Sequence, residues 1–237
     1  MREERDLTWD YVAKSLEDLV QIGDDVLTAP TQKDLDEQLQ TLWLLKAAAA
    51  QGLLAYPVCV KHTGRISARP DFKVLSGSRR ISLECSKIMT SSIGHAEALQ
   101  RRGLVDLPLR RLDLLDPKER WLSDRDLINR AFLTPQEVFP PTLTTVDQMW
   151  QELFDRTLER KLELLERPDF PHSDADWLVL WDRTGSQPWQ MQRRVATIRT
   201  SLAPTWRRRH SFEHVFILAE DFSWISAWSQ NSTGTAA

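Results

Sequence analysis

Two carboxylates flank a stretch of alternating apolar residues, and the pattern sets them opposite each other in a β-hairpin. The segment reads ARPDFKVLSGSRRISLECSKI over residues 68–88. Gly77-Ser78 suits a two-residue hairpin turn, because glycine readily adopts the positive φ that such turns require. Centring the hairpin on this turn places four apolar side chains on one face: Phe72, Val74, Ile81 and Leu83. The same register sets Asp71 directly opposite Glu84, and directly opposed residues have Cβ atoms about 4.5–5.5 Å apart.

Two carboxylates at that separation repel each other, and burial raises the pKa of one of them. A divalent cation relieves the repulsion, and hard oxygen ligands favour Mg²⁺ or Mn²⁺. Such a cation activates water and neutralises the charge that develops during phosphoryl transfer. The alternative is a solvent-facing acidic pair at the edge of the sheet, with Arg79 or Arg80 nearby.

The acidic pair also resembles the signature of a known nuclease family. Pro70-Asp71, followed after twelve residues by Glu84 at the end of an apolar strand, is similar to the motif of the PD-(D/E)XK nuclease superfamily. The core of that family contains a helix, a hairpin that bears the acids, a second helix and a further strand. The order of elements from about residue 33 to residue 218 looks similar.

The resemblance implies a restriction-endonuclease-like α/β fold and metal-dependent cleavage of phosphodiester bonds in nucleic acid. It implies Mg²⁺ or Mn²⁺ as the cofactor, with Asp71 and Glu84 as metal ligands.

The lysine of the family motif is displaced in this chain. The motif expects it two positions after the glutamate, where this sequence has Ser86, and Lys87 comes one residue later. Strand alternation turns Lys87 towards the opposite face, unless a bulge redirects it. A second candidate is Lys161, in the middle of the apolar stripe of a helix predicted over residues 149–166. A lysine there must be paired or must extend its ammonium to solvent, and some members of the superfamily carry the lysine on a helix.

Glu37 is a further candidate metal ligand. It belongs to a helix predicted over residues 32–51, before the hairpin, where many related nucleases have an additional acid. Helical periodicity places it away from the main apolar face of that helix and beside Leu44.

The remaining pattern predicts a mixed β-sheet flanked by helices, which is an α/β architecture. Further helices are expected over residues 7–28 and 188–203, and buried strands over residues 177–181 and 215–218. We expect a single domain over residues 1–237. Its predicted parts are a helical N-terminal extension (1–30), a nuclease-like core (31–88 and 149–228) and a helical insertion (89–148).

Arginines concentrate in one segment, although the chain carries a formal net charge of −3. Residues 183–212 contain seven arginines and no acid. Because arginine pairs phosphate oxygens in bidentate fashion, we predict nucleic-acid-binding residues there. These are Arg193, Arg194, Arg199, Arg207, Arg208 and Arg209. The alternative is a solvated helix face followed by a basic loop.

Composition excludes several classes of protein. Two cysteines cannot form a disulfide framework, and the charged start of the chain lacks the apolar core of a secretory signal. No apolar run approaches the roughly 20 residues of a membrane helix. The sequence also contains no Walker A loop and no cysteine cluster with zinc spacing. We therefore expect a cytoplasmic protein without a membrane partner.

Three functional hypotheses follow from the sequence. The first is a Mg²⁺-dependent nuclease-like protein that uses Asp71, Glu84 and either Lys161 or Lys87. The second is a catalytically inactive module of the same fold that binds nucleic acid or a protein partner, which the displaced lysine motivates. The third is a partner-binding α/β protein whose ten tryptophans help to form an oligomer such as a homodimer.

Overall fold

The computed structural model describes residues 10–23, 31–63, 70–105, 109, 114, 122–131, 143–186, 188–219 and 225–229. Seven strands and six helices lie within these ranges. The strands are β1 (Tyr11–Ala13), β2 (Val58–His62), β3 (Phe72–Ser76), β4 (Arg79–Ile88), β5 (Ala175–Asp182), β6 (His214–Leu218) and β7 (Ile225–Ser229). The helices are α1 (Leu16–Gln21), α2 (Gln32–Ala50), α3 (Ser91–Arg101), α4 (Asp124–Ala131), α5 (Leu143–Leu165) and α6 (Pro188–Thr205).

All seven strands form one mixed sheet, in the same order as in the sequence. Strands β1 to β4 pair as antiparallel neighbours, β5 and β6 are parallel, and β7 is antiparallel to β6. Arg80 N donates to Asp174 Oδ2 at one end of the β4–β5 pair, and Arg183 N donates to Ile88 O at the other, so these two strands also run in the same direction. Parallel neighbours require a crossover, and α3 to α5 supply it for β4–β5 while α6 supplies it for β5–β6. The predicted mixed α/β sheet flanked by helices is confirmed.

The chain divides into two compact units. The first contains residues 1–86, 160–181 and 203–237, and the second contains residues 87–159 and 182–202. The described candidate residues Glu37, Asp71, Glu84 and Lys161 all belong to the first unit.

One face of the sheet in the first unit packs against α2 through an apolar core. The second half of the helix contributes Leu44, Leu45 and Ala48. The strands contribute alternate residues of the hairpin and of β5: Phe72, Val74, Ile81, Leu83, Cys85, Trp177, Val179 and Trp181. Because side chains alternate along a strand, the residues between these point to the other face of the sheet. Ser82 and Glu84 lie on that second face.

The segment predicted as one helix over residues 7–28 is the clearest difference between the sequence prediction and the structure. Its described part contains the short strand β1, which pairs with β2 through Tyr11 and Val60, and then the short helix α1. Ser15 accepts a hydrogen bond from Asp18 N and so begins α1 after the strand. The prediction of a helix was therefore wrong for residues 11–13, which form the strand, while residues 7–9 and 24–28 of the predicted helix lie outside the described ranges.

Helices are the regular elements in the described part of the predicted insertion over residues 89–148. It contains α3, α4 and the first residues of α5. No helix among the described residues is both long enough and apolar enough to cross a lipid bilayer.

The hairpin turn provides a first test of the fold. Gly77 has a φ of +60°, and a Cβ added there would lie 3.2 Å from the Cβ of Ala55. We expect Gly77→Ala to lower the free energy of unfolding by about 1–2 kcal/mol, because this backbone conformation is unfavourable for residues with a Cβ. Urea denaturation measures the change. Gly77→Asn is the matched control. Its free energy of unfolding should fall by less than that of Gly77→Ala, since asparagine tolerates positive φ better than alanine. Equal stability of Gly77→Ala and the unmodified protein would contradict the assigned turn.

Candidate active site

The register of the hairpin is the one that the sequence predicts. Phe72 lies opposite Leu83 and Val74 lies opposite Ile81, and both pairs face the core. Continuing this register by one residue sets Asp71 opposite Glu84, at the open end of the hairpin.

The two acids differ in their surroundings. The side chain of Glu84 is 2% exposed, whereas that of Asp71 is 24% exposed. Asp71 Oδ2 accepts a hydrogen bond of 2.7 Å from Cys85 N, so the aspartate is held against the strand that carries the glutamate. Thr63 N donates to Asp71 O at 3.0 Å and fixes the backbone at the same position. The geometry therefore joins an accessible acid to a buried one.

Lys161 on α5 reaches both carboxylates. Its Nζ lies 2.5 Å from Glu84 Oε2 and 3.5 Å from Asp71 Oδ2. Burial by itself lowers the pKa of this lysine, but the charges of Asp71 and Glu84 outweigh that effect and raise the pKa above its usual value. The lysine is thus a fixed cation between two acids. Leu162 and Leu165, on the same end of α5, are buried.

Glu84 is a carboxyl group with an unusual proton affinity. Burial, followed by the charges of Asp71 and Asp176, raises its pKa from 4.5 to about 7, and this occurs despite the opposing effect of Lys161. The group therefore changes its charge near neutral pH, which an ordinary surface glutamate does not do.

The acids fit a hard divalent cation. Glu84 Oε1 is buried and has no hydrogen-bond partner among the described residues, while Oε2 is bound by Lys161. A buried carboxylate oxygen without a donor is costly unless a proton or a cation satisfies it. Oxygen donors from Asp71 and Glu84 suit Mg²⁺ or Mn²⁺ better than a soft metal.

Cys85, next to Glu84, does not add a nucleophile. The thiol is buried and lies 3.6 Å from Thr41 Oγ1. Burial and the charge of Asp71 raise the pKa of this thiol well above its usual value. It remains protonated, and a protonated thiol is a poor nucleophile.

Glu37 lies in a second polar cluster at the start of α2. Its carboxylate pairs with Lys33 Nζ at 3.1 Å and with His62 Nε2 at 3.5 Å. Asp34, Glu37 and His62 have donor atoms that all lie within 4.8 Å of one another, an arrangement that is able to hold a metal ion. Burial favours a higher pKa of Glu37, but the hydrogen bonds from His62 and Lys33 outweigh it and the pKa is lowered. The pKa of His62 is raised, mainly by its hydrogen bond to Glu37.

Sequence reasoning selected Glu37 but missed its partners. Asp34 lies one helical turn before Glu37, so the spacing of the two acids was a visible signal. His62 comes from β2, and only the tertiary fold brings it to the helix. The second half of α2 buries apolar side chains. The first half instead buries polar ones, which are Asp34, Asp36, Glu37, Gln40 and Thr41.

The orientation of Lys87 stays a prediction. Strand β4 runs continuously from Arg79 to Ile88, and alternation along it turns Lys87 towards the face of Ile81 and Leu83 rather than the face of Glu84. Of the two candidate lysines, Lys161 is the one whose ammonium lies beside both carboxylates.

The predicted nucleic-acid-binding arginines have different environments. In the second unit, Arg194 is 3% exposed, donates to Asp147 at 2.9 Å and stacks on Trp150 at 4.6 Å. It stabilises the interior of that unit and is not available to an external phosphate. Arg193 also pairs with Asp147, at 3.2 Å, and Arg199 is exposed on α6.

The remaining predicted arginines lie in the first unit. Arg208 pairs with Glu166 at 3.4 Å, and this contact joins the segment after α6 to the end of α5. Arg207 and Arg209, on either side, are exposed. These two are the members of the predicted set in the first unit whose side chains face solvent.

Comparisons of the chain with protein-family models, with curated proteins and with solved structures find no match. The functional argument therefore depends on the motif and on the geometry of the site.

Removal of the lysine tests the ion pair. In Lys161→Met, the acids lose the buried cation that offsets their repulsion, so we expect a loss of about 3–5 kcal/mol in the free energy of unfolding at pH 8. Denaturant unfolding provides the measurement. Lys14 is exposed, and Lys14→Met should change stability by about 0.5 kcal/mol or less. If the two substitutions lowered the free energy of unfolding by similar amounts, the contacts of Lys161 with the two acids would contribute little to stability.

The raised pKa of Glu84 makes stability depend on pH. The folded state binds this proton more tightly than the unfolded state, whose carboxyl titrates near 4.5. The stability contributed by Glu84 is therefore greatest below that pH and falls as pH rises towards about 7. Glu84→Gln does not titrate, so its stability relative to the unmodified protein should improve as pH rises through this window. Unfolding curves at several pH values between 4 and 8 measure the difference, and a constant difference would contradict the raised pKa.

Proposed function

We propose that the chain is a metal-dependent, nuclease-like protein that hydrolyses phosphodiester bonds in nucleic acid. The observation that carries this proposal is the contact of one buried lysine with the two acids of the hairpin. Lys161 comes from α5, far along the chain from the hairpin, and its ammonium lies within 3.5 Å of both Asp71 and Glu84. They supply the two acids and the lysine that the PD-(D/E)XK resemblance requires.

The order of elements also supports the resemblance. Helix α2 precedes the hairpin β3–β4, and α5, β5, α6 and β6 follow it, as we expect for a restriction-endonuclease-like core. The lysine differs from the family motif because it lies on α5 rather than two residues after the glutamate. Its ammonium nevertheless reaches the same pair of acids.

Each residue has a chemical role in this proposal. Asp71 and Glu84 would hold a divalent cation, and Mg²⁺ or Mn²⁺ would stabilise the charge on the phosphoryl oxygens. Lys161 donates hydrogen bonds towards the space beside the acids, where it orients a water molecule and offsets the negative charge of the transition state.

The second candidate function is a non-catalytic module that binds nucleic acid or a protein. The observation in its favour is the direct contact of 2.5 Å between Lys161 and Glu84, because an ion pair of this kind satisfies one carboxylate oxygen without any metal. This alternative predicts salt-sensitive binding of nucleic acid in EDTA and no turnover with Mg²⁺.

A cleavage assay distinguishes the two functions. We expect the full chain to cleave DNA or RNA with Mg²⁺ and to lose activity in EDTA. Asp71→Ala and Glu84→Ala should each lower the rate by about 100-fold or more, since each removes a predicted ligand of the cation. Lys161→Met should lower the rate by a similar factor through loss of charge stabilisation.

Asp174→Asn is the matched control for the acid variants. Asp174 is exposed, and its side chain accepts a hydrogen bond from Arg80 N, so this variant should retain full activity. Cleavage that is equal in the unmodified protein and in all three site variants would overturn the proposed function.

A further inference from the structure

Arg160 directly precedes Lys161 on α5, and both residues contact strand β4. Arg160 Nη2 donates to Ser86 Oγ at 3.0 Å, and Lys161 Nζ donates to Glu84 Oε2 at 2.5 Å. Ser86 and Glu84 share the second face of the sheet, because Cys85 between them belongs to the core on the α2 side. Two consecutive cations of one helix therefore contact the same face of one strand.

The two cations differ in what they leave open to solvent. The side chain of Lys161 is 13% exposed and lies beside two carboxylates, whereas Arg160 is exposed. Within the described ranges, the bond to Ser86 is the one polar contact of the Arg160 side chain. That bond uses a single N–H of the guanidinium, so other N–H donors remain for an external acceptor.

Arg160 also differs from several arginines of the basic segment. Arg193, Arg194 and Arg208 each pair with a carboxylate, which offsets their charge. The partner of Arg160 is a neutral hydroxyl, so its positive charge stays available to attract an anion. The bond to Ser86 restricts the guanidinium before any ligand arrives, and such ordering lowers the entropic cost of binding.

The guanidinium lies next to the pair of acids along the strand. Two residues of a strand span about 6.6 Å, and this is the spacing of Ser86 from Glu84. In the motif of the PD-(D/E)XK superfamily, the position of Ser86 carries the lysine. Here that position holds a serine, and the cation bound to it comes from α5.

We propose that Arg160 binds a phosphate of the nucleic-acid substrate beside Asp71 and Glu84, and that Ser86 positions its guanidinium. This inference rests on the proposed function, because it names a substrate contact of the same site. A planar guanidinium donates two parallel hydrogen bonds to phosphate oxygens. Contacts to backbone phosphates fix the position of a strand and carry no base sequence, so Arg160 sets the register of the substrate rather than its sequence preference.

Binding of nucleic acid by the full chain in EDTA tests the phosphate contact. The probes are a short fluorescein-labelled DNA duplex and an RNA of the same sequence, followed by fluorescence anisotropy. We expect Arg160→Gln to raise the dissociation constant about tenfold. The slope of log affinity against log salt should become shallower by about one, because one phosphate contact is lost. Arg160→Lys keeps the charge but not the paired donors, so its dissociation constant should rise less and its slope should not change.

Arg80→Gln is the matched control. Arg80 is an exposed arginine on the same strand, but it lies six residues before Ser86, about 20 Å along β4. Its removal should leave both the dissociation constant and the salt slope unchanged. Because Arg160 and Arg80 are exposed, their variants should unfold at the temperature of the unmodified protein, which thermal unfolding checks.

Ser86→Ala tests the positioning role. It keeps the charge of Arg160 but frees the guanidinium, so the dissociation constant should rise about threefold without a change in the salt slope. Equal dissociation constants for Ser86→Ala and the unmodified protein would overturn this role of the serine.

Cleavage with Mg²⁺, measured on the same variants, separates this inference from the proposed function. We expect Arg160→Gln to raise KM about tenfold and to change kcat less, because a contact outside the reacting bond binds substrate and transition state alike. If the unmodified chain cleaves nucleic acid but Arg160→Gln matches Arg80→Gln in KM and in dissociation constant, this inference alone is overturned.

Two other results concern the proposed function. If the unmodified chain does not cleave but Arg160→Gln weakens binding in EDTA, the nuclease activity is overturned and the phosphate contact belongs to the non-catalytic module. Failure of the unmodified chain both to bind and to cleave either probe would overturn the proposed function and this inference together.

Discussion

The ammonium of Lys161, buried between Asp71 and Glu84, is the interaction on which the rest of the site depends. Transfer of three ionisable groups from water into a protein is unfavourable unless they neutralise one another. Contacts of 2.5 Å and 3.5 Å provide this neutralisation and join α5 to the hairpin. Without the lysine, the two acids would repel each other.

The pairing leaves the site with excess negative charge. One lysine faces Asp71 and Glu84 directly, and the charge of Asp176 also acts on Glu84. Burial first, and then this excess of negative charge, raise the pKa of Glu84 to about 7 in spite of its ion pair. A proton and a divalent cation would compete for the same carboxylate oxygens in such a site.

The parts of the site that could be predicted from sequence are those that local rules determine. The turn at Gly77 and the apolar alternation on both sides of it gave the same register, so the opposition of Asp71 and Glu84 did not require a structure. Lys161 could be selected because a charge within an apolar helical stripe needs a partner. The partner itself followed only from the resemblance, since helical periodicity contains no information about which strand a helix covers.

The parts that were missed depend on contacts between distant segments. Strand β1 is too short to show an alternating pattern, and it exists because the edge of β2 offers hydrogen bonds to it. The cluster of Asp34, Glu37 and His62 combines a helix with a strand, so a pattern within one segment does not reveal it.

The arginine-rich segment over residues 183–212 also shows that local sequence does not reveal contacts between distant residues. Its composition suggested one basic surface, but a side chain that is already paired and buried cannot bind an external phosphate. Arg194 is such a residue, because Asp147 and the ring of Trp150 occupy its guanidinium. Charge along a sequence is therefore an upper bound on the charge that a surface presents. For a chain with a net charge of −3, the proposed recognition of phosphate would depend on the few cations that the fold leaves exposed, and on a metal ion that converts an acidic site into one that attracts phosphate.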